Sequence, residues 1–325
     1  MTEAGHAAGH EATGRPRFGV VNETVLDAAA WRDHVRRVED AGVDVFLVRD
    51  HFSAAAFGPQ LAPFTALATA AALTTRLHVG TLVLSNDFRH PAILAHEAAS
   101  LHHLSGGRFE LGLGAGWYEP EYAAAGIRFD AAGQRIGRLE ESLGVLRGLL
   151  AREPVRHEGD SYRLDGLELD VVPSASGAPP LLVGAGGPRM LRIAARNADI
   201  VGILPAPIKG SQDSDDPSDR MPAAFDAKVD VLRAAAGDRF DRLELSAFVT
   251  LLLTDDRRAA TEKLIADRGW SGTTVETVWE MPTILIGSAT QIRDDLEHRR
   301  ERFGLSYLVT SDKDLPTLTQ VIAAW

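Results

Sequence analysis

The feature that most constrains the fold of this chain is a regular alternation of short apolar runs with longer stretches whose apolar residues recur at helical spacing. Strands that alternate with helices pair in parallel through right-handed crossovers. Eight runs are countable, the number that a closed barrel needs, so we predict an α/β fold, a TIM (β/α)8 barrel, with an open doubly wound sheet as the alternative. The runs lie at residues 18–21, 43–48, 77–84, 108–112, 179–184, 199–204, 243–253 and 304–310.

Two segments interrupt this rhythm and predict insertions in the barrel. Residues 153–173 predict a hairpin-like excursion before the fifth strand, and residues 205–222 are polar, acidic and flanked by prolines. We interpret the second segment as a mobile loop that closes over the substrate. Residues 1–16 are rich in small residues and predict a disordered tail, which leaves residues 17–325 as a single barrel domain.

The charge and composition of the chain disfavour several classes of partner. The formal net charge is −11, whereas a protein that binds nucleic acid needs a basic surface. No apolar run approaches the roughly 20 residues that cross a bilayer, and the first residues lack the pattern of a signal peptide. The absence of cysteine excludes disulfides and thiolate metal sites and suits a reducing compartment. We therefore expect a cytoplasmic protein that binds neither nucleic acid nor membranes.

The strongest polar signal is the Asp50–His51 pair that follows the second predicted strand. In a parallel barrel the active face is formed where strands end and loops begin. A histidine there can donate or accept a proton near neutral pH, so His51 is a candidate catalytic residue. The adjacent Asp50 points elsewhere while the strand persists, and we expect it to organise neighbouring loops or the ligand. The alternative for His51 is a histidine whose ring is satisfied by backbone partners.

Glycines mark two further strand ends. Gly112, Gly114 and Gly116 fall at every second residue, which indicates that something approaches this backbone closely. The segment 184–189, GAGGPR, brings small residues and backbone amides to the start of a predicted helix, a combination that suits a phosphate. The alternatives are a tight turn that packs a helix onto a strand and a barrel rim that needs small residues for curvature.

Other chemistries lack support in the sequence. The four histidines of the third helical region lack the spacing of a histidine-based zinc helix, so we predict no metal site. No GxSxG or GxxxxGKS segment is present, and GAGGPR is not GxGxxG, which disfavours serine hydrolases, P-loop proteins and Rossmann-type dinucleotide binding. A metal-dependent hydrolase barrel is a remote alternative. The histidines are His90, His96, His102 and His103.

Four stretches together resemble the luciferase-like monooxygenase superfamily, and especially its oxidoreductases that use the deazaflavin coenzyme F420. They are EDAGVDVFLVRDHF (39–52), the stretch from TRLHVGTLVLSNDFRHP to LGLGAGW (75–117), PPLLVGAGGPRMLRIAARNADIVGI (179–203) and IGSATQIRDDLEHRRERFGLSYLV (286–309). The resemblance extends from Arg17 to the C-terminus. It implies a luciferase-like TIM barrel with insertion segments and with a cofactor across the strand ends.

The resemblance also assigns expected roles to individual residues. It implies a non-prolyl cis peptide at Leu82–Val83 that supports the tricyclic ring, and a reacting centre close to His51, with Asp50 supporting the site. A flat cofactor would then lie against the alternate glycines. Residues expected to border the ring or its chain are Ala115, Gly116 and Trp117, and those expected to hold the tail phosphate through backbone amides are Gly184, Ala185, Gly186 and Gly187.

The expected activity is an F420-dependent oxidoreduction that transfers a hydride between C5 of the deazaflavin and a small organic substrate. One alternative is an FMN-dependent monooxygenase supplied with reduced flavin by a separate reductase. Another is a barrel that binds a cofactor without catalysing a reaction. The resemblance further implies a homodimer formed through helices beside strands two to four, with apolar faces such as that of residues 63–73 at the interface.

Overall fold

The computed structural model describes residues 15–23, 27–170, 176–205 and 217–325, and within them it confirms the predicted barrel. Nine parallel strand segments form one sheet, which closes where the third segment also pairs with the fifth. Two segments, the third and fourth, are halves of one strand, so the barrel has eight strands. All strands, in chain order, are β1 Arg17–Val21, β2 Val45–Val48, β3 His78–Thr81, β4 Leu84–Ser85, β5 Phe109–Gly114, β6 Val155–Glu158, β7 Arg163–Leu167, β8 Leu181–Ala185, β9 Ile200–Ile203, β10 Glu244–Phe248, β11 Thr250–Leu253, β12 Ile284–Gly287 and β13 Leu305–Ser311.

Helices cover the outside of the barrel, and local signals in the sequence fix their ends. Asp27 accepts hydrogen bonds from two amides of the first turn of the first helix, and proline occupies the first turn of six others. The helices are α1 Ala28–Asp40, α2 Ala54–Phe57, α3 Pro63–Leu73, α4 Pro91–Leu104, α5 Glu119–Ala125, α6 Ala132–Leu150, α7 Pro188–Asn197, α8 Pro222–Ala236, α9 Arg257–Asp267, α10 Val275–Glu280, α11 Ala289–Phe303 and α12 Leu315–Ile322. None of the helices in these described ranges is long and apolar enough to cross a membrane.

The predicted insertions differ in how far the structure describes them. An antiparallel hairpin of β6 and β7 lies within residues 153–173. Residues 206–216 of the predicted mobile loop and residues 1–14 of the predicted tail lie outside the described residues. The loop that we expected to close over the substrate therefore stays a prediction.

The apolar run at residues 243–253, predicted as one strand, is two strands. β10 belongs to the barrel, whereas β11 pairs in parallel with β12, a strand that the sequence pattern did not predict. The change of partner occurs at Val249, whose amide still bonds Val309 of β13, while the next amide, of Thr250, bonds Thr283. Apolar periodicity continues across this switch because Val249 is buried, so the pattern cannot reveal it.

Charged residues close the barrel at the end where the strands begin. Arg17 of β1 pairs with Glu110 of β5, and its guanidinium carbon lies 4.5 Å from the centre of the Tyr307 ring. Burial alone would raise the pKa of Glu110, but the charge of Arg17 and a hydrogen bond with His78 lower it to about 2. A filled lower end leaves the opposite rim, where the strands end, as the face for a ligand.

The glycines of β5 make room for the chain itself. The strand runs on through Gly112 to Gly114 instead of ending at Gly112. A Cβ at Gly112 would lie 1.9 Å from the carbonyl oxygen of Thr81, and one at Gly114 would lie 2.8 Å from a methyl group of Val83. The expectation that a cofactor lies against these two glycines is therefore wrong on the side where a Cβ would project, because the neighbouring strand occupies that space.

The interruption between β3 and β4 is the cis peptide bond Leu82–Val83, so this expectation is confirmed. Leu82 and Val83 are partly buried and pack on the apolar cluster inside the barrel, which includes Leu182 and Val309. The bulge thus reaches inward over the bare face of β5.

We predict that Gly112→Ala destabilises the protein by 3 kcal/mol or more, because the rigid backbone of β3 cannot yield to a new methyl group (overpacking costs about 1–3 kcal/mol even where neighbours adjust). Gly144→Ala is the matched control. It lies on an exposed helical turn with open space around the position, and it should raise stability by about 0.5–1 kcal/mol. Urea unfolding of both variants measures the difference. Equal stability of the two variants would contradict the packing argument.

Candidate functional site

The side chains of Asp50 and His51 diverge at the end of β2. Both oxygens of Asp50 accept hydrogen bonds from Arg89, at 2.7 and 3.1 Å, and one also accepts the amide of Ser85 at 3.1 Å. Asp50 is buried, so this bidentate pair fixes the segment after β4 against the end of β2. The expectation that Asp50 organises a neighbouring loop agrees with these contacts.

His51 lies among aromatic rings at the rim. The centre of its ring is 5.1 Å from that of Phe57, 5.9 Å from that of Trp117 and 6.3 Å from that of Tyr118. The side chain of His51 is 11% exposed, whereas Trp117 is 45% exposed. A mostly buried histidine that is surrounded by aromatic rings, one of them exposed, can contact a flat organic molecule bound at the rim.

The chief polar partner of His51 is Glu121, which the sequence reading did not single out. Its carboxylate lies 2.9 Å from Nδ1 of His51 and accepts the amides of Phe52 and Ser53, both at 2.7 Å. Glu121 is on α5, directly after the GAGW segment, and its side chain is buried. Its sequence neighbour Glu119 is exposed, and nothing in the local sequence distinguishes the two carboxylates.

A second polar chain runs beneath Gly116. The hydroxyl of Tyr122 lies 2.7 Å from that of Ser85 and donates to Asp87 at 3.2 Å, and Asp87 pairs with Arg138 at 2.8 Å. Burial raises the pKa of Tyr122 to about 12. A Cβ at Gly116, where φ is +74°, would lie 1.8 Å from the Tyr122 hydroxyl, so glycine is required here by the chain's own packing.

The bulge and the glycine turn lie close together on the rim, separated in the sheet only by β5. A Cβ at Gly184 would lie 3.7 Å from Val83, and both residues are partly exposed. Gly186 packs against the next strand end, because a Cβ there would lie 2.8 Å from the carbonyl oxygen of Pro205. Ala185 is 1% exposed, and its carbonyl oxygen already accepts the amide of Leu204 at 2.9 Å.

Gly187 has the open surroundings that a ligand cradle needs. It precedes α7 as the N-cap residue, offers no side-chain cap, and would leave an added Cβ with no neighbour within 4 Å. Uncapped amides and the positive end of a ten-residue helix attract anions. Arg189 in the same turn donates to the carbonyl of Gly133 at 2.9 Å and adds positive charge.

The structure brings the predicted residues into two groups on one rim. His51 contacts Trp117, and the Leu82–Val83 bulge faces Gly184. Ala115 and Gly116 link the groups along the end of β5. Among the described residues there is no cluster of three or more histidine, aspartate or glutamate side chains that could hold a metal ion.

In closed parallel barrels the rim where the strands end is the usual place for a small-molecule site, and the bulge, the glycine turn and His51 lie on that rim. The chain belongs to the luciferase-like monooxygenase family, whose model matches residues 4–305.

The proteins similar to this chain include both a monooxygenase and F420-dependent enzymes. The chain is 32% identical to 4-hydroxyprotoasukamycin monooxygenase of Streptomyces nodosus subsp. asukaensis, over 75% of this chain and 62% of that protein. It is 36% identical to an F420-dependent glucose-6-phosphate dehydrogenase of Intrasporangium calvum, over 51% of each. The matches thus span less than two thirds of the length of these curated relatives. The structure of the F420-dependent tetrahydromethanopterin reductase of Methanopyrus kandleri shares the fold, with a TM-score of 0.70 at 20% identity over 95% of this chain and 99% of that one.

We predict that Arg89→Met destabilises the protein by about 3 kcal/mol, because it leaves the buried carboxylate of Asp50 without its cation. Arg163→Met is the control. It removes an arginine whose pairing with Glu158 is exposed on both sides, so little change is expected. Thermal and urea unfolding compare the two variants. An equally small effect of both would show that the Asp50–Arg89 pair does not hold the rim together.

Proposed function

We propose that this protein is an F420-dependent oxidoreductase that transfers a hydride between C5 of the deazaflavin and a small organic substrate. The observation that carries the proposal is the placement of His51, fixed by Glu121, on the same rim as the bulge and the open glycine turn. Family membership and F420-dependent relatives support this choice of cofactor.

The residues on the rim fit such a cofactor. The partly exposed Leu82 and Val83 offer an apolar support for a flat ring, and Trp117 offers an aromatic border. The main chain of Gly184–Gly187, together with the start of α7, suits an anionic tail. Ala115 and Gly116 would lie beside the ring or its chain, between these two regions.

The chain's own groups would then act on the substrate. When bound, the deazaflavin would supply the two-electron hydride chemistry at C5. His51 would hold the substrate oxygen and accept or return its proton, so that a hydride on carbon and a proton on oxygen are exchanged together. Asp50 would act indirectly, through the position of the segment after β4. The aromatic wall would exclude water from the reacting atoms.

Two other functions remain as candidates. The monooxygenase relative, which matches 75% of this chain, favours an FMN-dependent monooxygenase as the second candidate, with a separate reductase as partner. A barrel that binds the cofactor without turnover is the third.

We further propose a cytoplasmic homodimer. The exposed apolar side chains of Leu61, Ile93 and Leu104, on or near α3 and α4, support an interface beside strands two to four.

We predict that the purified chain binds F420 more tightly than FMN, and that Gly187→Asp weakens F420 binding at least about tenfold, or 1.4 kcal/mol. The new carboxylate would cap the amides of α7 and repel the anionic tail, while stability is unchanged or slightly higher. Gly144→Asp adds the same charge on an exposed helical face and should bind normally. Fluorescence titration measures both affinities. Tight FMN binding without F420 affinity would overturn the proposed function in favour of the monooxygenase.

We predict that His51→Gln lowers kcat about 10²–10⁴-fold while F420 affinity stays unchanged. The variant loses proton transfer, but it keeps the Gly184–Gly187 turn that we propose to bind the tail of F420. His103→Gln, an exposed histidine on α4, is the control. The assay follows F420 absorbance with a panel of alcohols and carbonyl compounds that includes glucose 6-phosphate. If the wild-type protein turns over a substrate and His51→Gln retains that activity, His51 has no role in the mechanism.

A further inference from the structure

The carboxylate of Glu121 is saturated by three groups of one loop. Oε1 accepts the amides of Phe52 and Ser53, and Oε2 lies 2.9 Å from Nδ1 of His51. Ser53 is also the N-cap of α2, and the Glu121 side chain is 1% exposed. One buried carboxylate on α5 therefore holds the start of α2 and the ring of His51 together.

This arrangement selects one tautomer of His51. Oε1 is occupied by two backbone donors, and a glutamate carboxylate accepts hydrogen bonds but has no hydrogen to donate. Nδ1 of His51 must then carry the hydrogen, and Nε2 keeps the free electron pair. Within the described parts of the chain, Glu121 is the one hydrogen-bond partner of the ring, so Nε2 is left for a ligand.

The surrounding rings support the same orientation. Phe57, Trp117 and Tyr118 pack around the imidazole at centre distances of 5.1 to 6.3 Å, in tilted or edge-on contacts that support its orientation. A negative charge behind Nδ1 also stabilises the imidazolium that forms when Nε2 takes a proton, as in other histidine–carboxylate pairs.

We propose that Glu121 is a positioning residue that fixes the Nδ1–H tautomer of His51 and leaves Nε2 as the atom that exchanges a proton with the substrate oxygen. The proposal rests on the proposed function for the identity of the proton donor. In substrate oxidation the proton would pass from the oxygen to Nε2, a bound deazaflavin would take the hydride from carbon, and Glu121 would keep its hydrogen bond with Nδ1–H. Reduction reverses both transfers.

Glu121→Gln tests this directly, because the amide can keep the loop but must reverse the hydrogen bond. Its oxygen can still accept the amides of Phe52 and Ser53, so its NH₂ group faces Nδ1 and places the ring hydrogen on Nε2. Nitrogen NMR of ¹⁵N-histidine-labelled protein reports the tautomer, with the signal of His51 identified by its loss in His51→Gln. Glu119→Gln, on the exposed face of the same helix, is the control.

We expect Nδ1–H in the wild type and in Glu119→Gln and Nε2–H in Glu121→Gln, with kcat lowered roughly 10- to 100-fold or more and KM little changed. An Nε2–H wild type, an unchanged tautomer in Glu121→Gln, or an unchanged kcat with the tautomer switched would each overturn the proposal. If Glu121→Gln does not fold, the wild-type spectrum alone decides. If the wild-type protein does not bind F420, the proposed function is rejected, but the NMR assignment of the His51 tautomer remains valid.

Discussion

The close approach of the third strand to the bare face of β5 is the contact on which the site depends. Backbone oxygen of Thr81, the side chain of Val83 and the hydroxyl of Tyr122 occupy the spaces that Cβ atoms at residues 112, 114 and 116 would fill. Since side chains alternate along a strand, Gly112 and Gly114 clear one face of β5, and Gly116 clears the turn that follows. The bulge can therefore move inward over the barrel, and the segment after β4 can reach the end of β2, where Asp50 holds it.

Two adjacent residues at the end of β2 point in different directions and have different roles. Asp50 turns into the protein, where Arg89 neutralises it, and so joins the second and third strand ends. His51 turns to the rim, where Glu121 joins it to α5 after the fifth strand segment. Asp50 is held by the guanidinium of Arg89 and His51 by the carboxylate of Glu121, so buried polar contacts cross-link the rim. The Asp50–Arg89 pair fixes geometry more than it adds stability, since burial of the two charges offsets much of their attraction.

Apolar periodicity and glycine punctuation are sufficient to predict the eight barrel strands, and α7 begins at Pro188, directly after the glycine turn, as the sequence indicates. Local patterns could not show which groups meet across the fold. Glu121 acts on a histidine 70 residues earlier, and its sequence neighbour Glu119 is exposed. The alternate glycines indicate a site of close approach, but sequence alone does not reveal that β3 and β4 are the segments that approach. The apolar pattern predicts residues 243–253 as one barrel strand and does not predict β12, which pairs with β11 outside the barrel sheet.

The distribution of charge explains how an acidic chain can offer a site to an anionic cofactor. With a net charge of −11, the protein repels anions at long range. On the described part of the rim, Arg49 pairs with Glu23, Arg89 with Asp50 and Arg138 with Asp87. Arg189 instead donates to a neutral carbonyl, and it lies in the first turn of α7 beside uncapped amides. Positive charge and uncapped amides therefore lie together at the start of α7, while the region around His51 presents aromatic surface. An elongated ligand with an anionic end and a flat uncharged end has one orientation in which both parts are satisfied, and that orientation brings the flat end towards His51.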